Sequence, residues 1–132
     1  MNLRAWRERG RRVRIGGHGV FRVLEGRGPP VLLVHGFPMA SWGWHRIWPR
    51  LTEGHAALAP DLLGFGFSDK PPGGPYGIDD QVDLLEALVE GAGLGPPFVL
   101  ASAYGVTLAQ EMLARHRERD EPLVRAVCFL NG

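Results

Sequence analysis

Apolar positions along the chain fall into two rhythms, short continuous runs and stripes at helical spacing. Val31-Leu32-Leu33-Val34, His55 to Pro60, Phe98 to Ala101 and Val124 to Leu130 are short apolar runs bounded by turn residues. Such runs predict strands buried on both faces, the kind that build a parallel sheet. Val20 to Glu25 alternates instead, and with Arg12 to Ile15 across Gly16-Gly17-His18-Gly19 it predicts a hairpin-type antiparallel pair. Between Ser41 and Leu51, the i, i+3, i+4, i+7 spacing of Trp44, Ile47, Trp48 and Leu51 marks one face of a helix. A second helix is expected from an Asp79 or Asp80 cap to about Ala92, burying Val82, Leu85, Leu88 and Val89. A third runs from Gly105 to about Arg117 with Leu108, Met112 and Leu113 inward. Met1 to Arg12 reads either as a short amphipathic helix or as loose chain.

Strands alternate with helices through connections too long for hairpins, which implies βαβ units with right-handed crossovers. The expected fold class is therefore α/β, a mostly parallel sheet of about six strands with flanking helices. A length of 132 residues, 45% of them hydrophobic and 22% charged, suits one soluble globular domain with a real core.

Charge changes this picture only at the N-terminus. The net charge is +1, yet Arg4, Arg7, Arg9, Arg11, Arg12, Arg14, Arg22 and Arg27 precede residue 28 against only Glu8 and Glu25. No zinc-ligand spacing or RNA-binding signature accompanies these arginines, so residues 1–12 read as a solvated basic leader, with no nucleic acid and no membrane as partner. Cys128 is the sole cysteine, which excludes an intramolecular disulfide, and its apolar neighbours predict a buried thiol. No apolar run approaches the roughly 20 residues that span a bilayer, and no apolar region follows the arginines as in a signal peptide. A cytoplasmic location is the expectation.

Cofactor signatures are weak. Gly17-His18-Gly19 and Gly64-Phe65-Gly66 lack the third glycine and the strand-to-helix context of a dinucleotide loop. His18, His35, His45, His55 and His116 show no metal-ligand spacing, and His116, near a helix end, reads as solvated. No cofactor and no metal are expected.

Three stretches carry chemistry: His35-Gly36-Phe37-Pro38 after one buried strand, Asp61 to Pro71 after the next, and Ala101-Ser102-Ala103-Tyr104-Gly105 between a strand and a helix. In this order they resemble the N-terminal half of an α/β-hydrolase of the epoxide hydrolase and haloalkane dehalogenase group, nearest to mesoderm-specific transcript-like hydrolases. The resemblance extends to Trp44 to Trp48, Ala109-Gln110-Glu111 and Leu130-Asn131-Gly132. It implies that position 103 is the nucleophile's, at a tight elbow, with the backbone N–H groups of Phe37 and Tyr104 as the oxyanion donors and with His35, Gly36, Pro38 and Ser102 lining the binding site. Members of the group carry aspartate or serine where this chain has Ala103, and a methyl group can neither attack nor accept an acyl group. Ser102 should point away from the apex and does not replace it. Phe37 and Tyr104 stand where halide-binding members carry asparagine and tryptophan, so dehalogenation is the least expected of ester, epoxide and carbon–halogen chemistry.

The resemblance also implies a general base, its orienting acid, a lid and the last strands beyond Gly132. The chain is accordingly expected to be a truncated α/β-hydrolase fold lacking the lid and last strands, related to hydrolases of small esters or epoxides but inactive by itself. The alternative is a non-catalytic binding module, or a half-sheet that self-associates or pairs with another chain through the exposed edge strand at Val124 to Leu130.

Overall fold

The computed structural model of the protein describes residues 1–131; Gly132, the end of the Leu130-Asn131-Gly132 triplet, lies outside the described residues. A helix α1 (Leu3–Arg9) leads into β1 (Arg11–Ile15), β2 (His18–Glu25) and β3 (Pro30–Val34). After a 3-10 turn (Ser41–Trp44) come α2 (Trp48–Leu51), β4 (Ala56–Pro60), α3 (Ile78–Gly91), β5 (Phe98–Ser102), α4 (Tyr104–Glu118) and β6 (Ala126–Leu130). The six strands form one sheet in the order β1-β2-β4-β3-β5-β6. The pairs β1·β2 and β2·β4 are antiparallel, and β4·β3, β3·β5 and β5·β6 are parallel.

Each apolar run feeds both faces because successive side chains of a strand point to opposite sides. Leu32, Val34 and Leu58 pack under α3 and α4 with Leu85, Leu108 and Met112. Val31, Leu33, Ala57 and Ala59 pack on the other face with Trp6, Trp44 and Trp48. Across the outer surface of the helical layer, Arg115 of α4 bonds Asp83 and Glu86 of α3 at 2.7 and 2.6 Å and Glu111 at 2.8 Å, tying the two helices together.

Several expectations are corrected. The apolar stripe from Ser41 to Leu51 is not one helix: it breaks into the 3-10 turn and the four-residue α2, leaving Ile47 exposed while Trp44 and Trp48 are buried. Pro49 lacks the N–H that a continuous helix would need. Helix α3 is capped at Gly77, not at Asp79 or Asp80; Asp80 sits one turn in and accepts the Gly77 N–H at 3.1 Å. Cys128 is exposed, since β6 pairs with β5 alone among the described residues. His116 is half-buried, and its Nδ1 accepts the Leu123 N–H at 3.0 Å, holding the link between α4 and β6. The basic leader is folded: its arginines face solvent, but Trp6 is fully buried, donates to Ser41 Oγ at 3.0 Å and meets Trp48 edge-on at 5.0 Å.

Candidate active site

The site lies at the carboxyl ends of β3, β4 and β5, where the chain leaves the sheet three times. Strand β5 ends at Ser102, and Ala103 turns the chain into α4 with φ 52° and ψ −121°, a left-handed backbone that a non-glycine residue adopts at a cost. The turn holds because its surroundings fix it on both sides. Ala103 N–H donates to the Leu130 carbonyl at 3.0 Å, and the Ala103 carbonyl accepts the Val106 N–H at 2.9 Å.

Close approach of backbone does the rest. A Cβ at Gly36 would lie 2.6 Å from both the Ala103 Cβ and the Ser102 carbonyl oxygen and 3.0 Å from the Tyr104 nitrogen. A Cβ at Gly105 would lie 2.4 Å from the Val34 carbonyl oxygen and 2.8 Å from that of His35. The loop after β3 and the first turn of α4 therefore touch through two glycines, which brings the Gly36-Phe37 backbone against the elbow. Tyr104 is the first residue of α4, so its N–H has no acceptor within the helix. The Phe37–Pro38 peptide is cis, and the Phe37 side chain is 72% exposed.

His35 and Ser102 sit beside this turn with different surroundings. His35 is buried; its Nδ1 faces the Gly36 carbonyl at 3.0 Å and its Nε2 accepts the Leu62 N–H at 3.0 Å. That pairing requires the proton on Nδ1 and leaves neither nitrogen for a reacting group. Burial pushes the imidazole below its ordinary value near 6.5, against smaller upward pulls from the Gly36 carbonyl and the Asp61 charge. The unfolded chain therefore takes up a proton near pH 6.5 where the folded one resists it. Stability is complete above that pH and drops as the pH falls below it. Thermal melts between pH 7.5 and 5 are expected to show this loss, and His35→Asn to flatten it. Ser102 shares its face of β5 with Leu100 and lines a chamber of about 110 Å³ with His35, Gly36 and Trp44.

The loop after β4 supplies the floor. Asp61 is buried, and its two carboxylate oxygens accept the Ser41 N–H at 2.7 Å and the Phe67 N–H at 2.8 Å. Ser68 Oγ donates to the Asp61 carbonyl at 2.6 Å and accepts the Phe21 N–H at 3.0 Å. Gln81 of α3, also buried, brackets Leu63, accepting its N–H at 3.2 Å and donating to its carbonyl at 2.9 Å. Sequence reasoning missed Gln81. The signal was its place on the apolar stripe, one turn before Leu85. The Gly19 N–H, then the Arg12 guanidinium, hold the exposed Asp69 carboxyl below its usual range and pin the far end of the loop to β1 and β2.

Two apolar hollows open on this floor, sharing Phe37, Gly64 and Phe65. One, of about 730 Å³, adds Leu3, Met39, Trp42 and Phe67. The other, of about 470 Å³, adds Leu63, Lys70, Tyr76, Gln81 and Tyr104, the residue beside the apex. Both sizes suit a small organic molecule. Of the other histidines, His45 stacks on Trp42 and its Nδ1 lies 2.8 Å from the Trp42 carbonyl, while His55 Nδ1 lies 3.2 Å from the Leu51 carbonyl. Among the described residues no group of three or more His, Cys, Asp or Glu side chains could hold a metal, and no helix is long and apolar enough to cross a membrane.

A mostly parallel sheet in which β5, between β3 and β6, turns into a helix through a strained elbow, with a glycine loop pressed against it, has the architecture of a hydrolase-type α/β domain. The family described as alpha/beta hydrolase fold matches residues 29–132, and the chain belongs to it. A mesoderm-specific transcript homolog protein of Bos taurus is 41% identical over 107 residues, covering 77% of this chain and 32% of that protein. A putative hydrolase of Mycobacterium tuberculosis, LipZ, is 36% identical over 133 residues, covering 99% and 46%. The crystal structure of the epoxide hydrolase VrEH1 from Vigna radiata superposes with a TM-score of 0.84 at 29% identity, over 93% of this chain and 39% of that one. The chain thus spans about a third to a half of the length of these relatives.

Proposed function

We propose that this chain is an epoxide- or ester-hydrolase relative that binds a small apolar ester or epoxide without turning it over through its elbow. The observation that carries this reading is Ala103 at the apex, with the backbone turn of a nucleophile and the side chain of none. In this reading the Tyr104 and Phe37 N–H groups receive a ligand carbonyl or epoxide oxygen, as an oxyanion hole would, supported by the close approach of Gly36 to the Tyr104 nitrogen. Aromatic and aliphatic walls take the rest of the ligand. Ser102 lines the chamber beside Trp44 and His35 is committed to backbone partners, so this reading gives neither the nucleophile's role at the elbow. Incubation of the chain with p-nitrophenyl esters and styrene oxide is expected to give no turnover above background, while the same ligands quench tryptophan fluorescence saturably. Turnover by the unaltered chain would refute the reading.

A second reading rests on β6, where Phe129 and Leu130 are 45% and 39% exposed on a strand paired on one side among the described residues. An unpaired apolar edge recruits another strand, so the half-sheet would self-associate. Size-exclusion chromatography decides: a dimer supports this reading, and a monomer that melts cooperatively removes it.

A further inference from the structure

Opposite the apolar hollows, across Phe67, lies a cleft of about 390 Å³ with a different character. Arg7, Arg11, Arg12 and Lys70 line it over a floor of Phe21 and Phe67, and no Asp or Glu is among the described residues that line it. Three cations reach the same short stretch of backbone. The Arg7 guanidinium sits 4.8 Å above the Phe67 ring, Arg12 Nη1 donates to the Phe67 carbonyl at 2.6 Å, and Lys70 Nζ donates to the carbonyl of Ser68 at 3.2 Å and to that of Gly66. Arg12 is neutralised by Asp69, whereas Arg7, Arg11 and Lys70 form no ion pair among the described residues. Three uncompensated positive charges therefore line one concave, aromatic-floored space, although like charges held together destabilise a fold unless an anion joins them. Arg7 is placed there by the same helix turn that buries Trp6, so its backbone position is fixed before any ligand arrives.

We infer that this cleft is a binding site for a doubly charged oxyanion, of the phosphomonoester class, with Arg7 and Lys70 as its cationic ligands and the Phe21-Phe67 floor beside its organic group. A guanidinium offers paired N–H donors that match two oxygens of one phosphate, and an ammonium adds a point charge at the third. The cleft shares Phe67 with the larger apolar hollow and Lys70 with the smaller one, but neither Phe37 nor Tyr104 beside the elbow lines it.

The test is titration of the full chain at low ionic strength, where screening is weakest, with phenyl phosphate, inorganic phosphate and phenol, following the amide resonances of Phe67 and Ser68. Saturable shifts are expected with both phosphates and none with phenol. Tighter binding of phenyl phosphate assigns the site to an organic phosphate, and equal binding assigns it to the free ion. Arg7→Gln and Lys70→Gln are each expected to weaken binding at least fivefold, and Arg4→Gln, one turn away and paired with Glu8, to leave it unchanged. Lys70→Gln is an exposed change that leaves α1 intact, so it stands if Arg7→Gln disturbs the helix. Absence of saturation with either phosphate, or affinities of both variants equal to the unaltered chain's, would overturn the inference.

Discussion

Replacing Gly105 with alanine is expected to cost about 2 kcal/mol of folding stability. The added carbon would sit 2.4 Å from the Val34 carbonyl oxygen and 2.8 Å from that of His35. Both obstacles are backbone of the central strand and its exit, so neither can swing aside as a side chain would. Overpacking of this kind costs about 1–3 kcal/mol, occasionally more. Alanine's better helix propensity returns up to about 1 kcal/mol, so the upper part of the range is needed to give the stated net. Urea unfolding monitored by tryptophan fluorescence measures it, and a midpoint unchanged from the parent would mean that α4 and β3 do not meet here. Because α4 would be pushed away from the loop at Gly36, ligand quenching should weaken in the same variant.

Asp61→Asn is expected to cost about 2–3 kcal/mol although it changes neither shape nor volume. Two buried N–H groups, of Ser41 and Phe67, need two acceptor oxygens, and an amide supplies one oxygen and one NH₂. Whichever way the amide turns, one donor faces another, and a buried donor left unmatched costs about 1–3 kcal/mol. Loss of the charge also removes one of the pulls that raise the His35 imidazole. Faster hydrogen exchange at the Ser41 and Phe67 amides, with little change at Val99 in β5, would localise the damage to the floor of the site. Exchange indistinguishable from the parent at both amides would show that the carboxylate does not hold these loops.

Much of the scaffold was legible in the chain. Continuous apolar runs at Val31 to Val34 and Phe98 to Ala101 mark strands because both faces of the sheet are covered, and each has a strand on either side. The α3 and α4 stripes are long enough for their period to be unambiguous, and both helices form. Legibility failed where tertiary contacts outvote local pattern. The Trp44 to Leu51 spacing suits a helix, yet burial of Trp44 and Trp48 against the sheet is achieved with a break at Ile47 and Pro49. Trp6 looked like one apolar residue in a basic leader, and only the position of Ser41, 35 residues later, explains its burial. Cys128 has apolar neighbours in sequence but stands on the outer strand in space.

At the site the elbow was visible as small residues around Ala103, whereas its supports were not. In the sequence Asp61 reads only as the first residue of the loop motif that runs to Pro71, with no role of its own. Its bonds run forward to Phe67 and back to Ser41, a partnership that no periodicity encodes. His35 was expected to line the binding site and does border the Ser102 chamber. Both of its nitrogens are nonetheless engaged with backbone, which makes it a brace between the loops after β3 and β4.

The proposed reading requires that position 103 stand at the positive end of α4 in a turn that would expose a nucleophile's side chain. Ala103→Cys in a Cys128→Ser background places a single reporter thiol there. The N-terminal N–H groups of a helix and its dipole stabilise a thiolate. The rate of alkylation by iodoacetamide, measured across pH, is predicted to rise with a midpoint clearly below the ordinary thiol value of about 8.5. A midpoint at or above that value, or a thiol that does not react in the folded chain, would contradict the account.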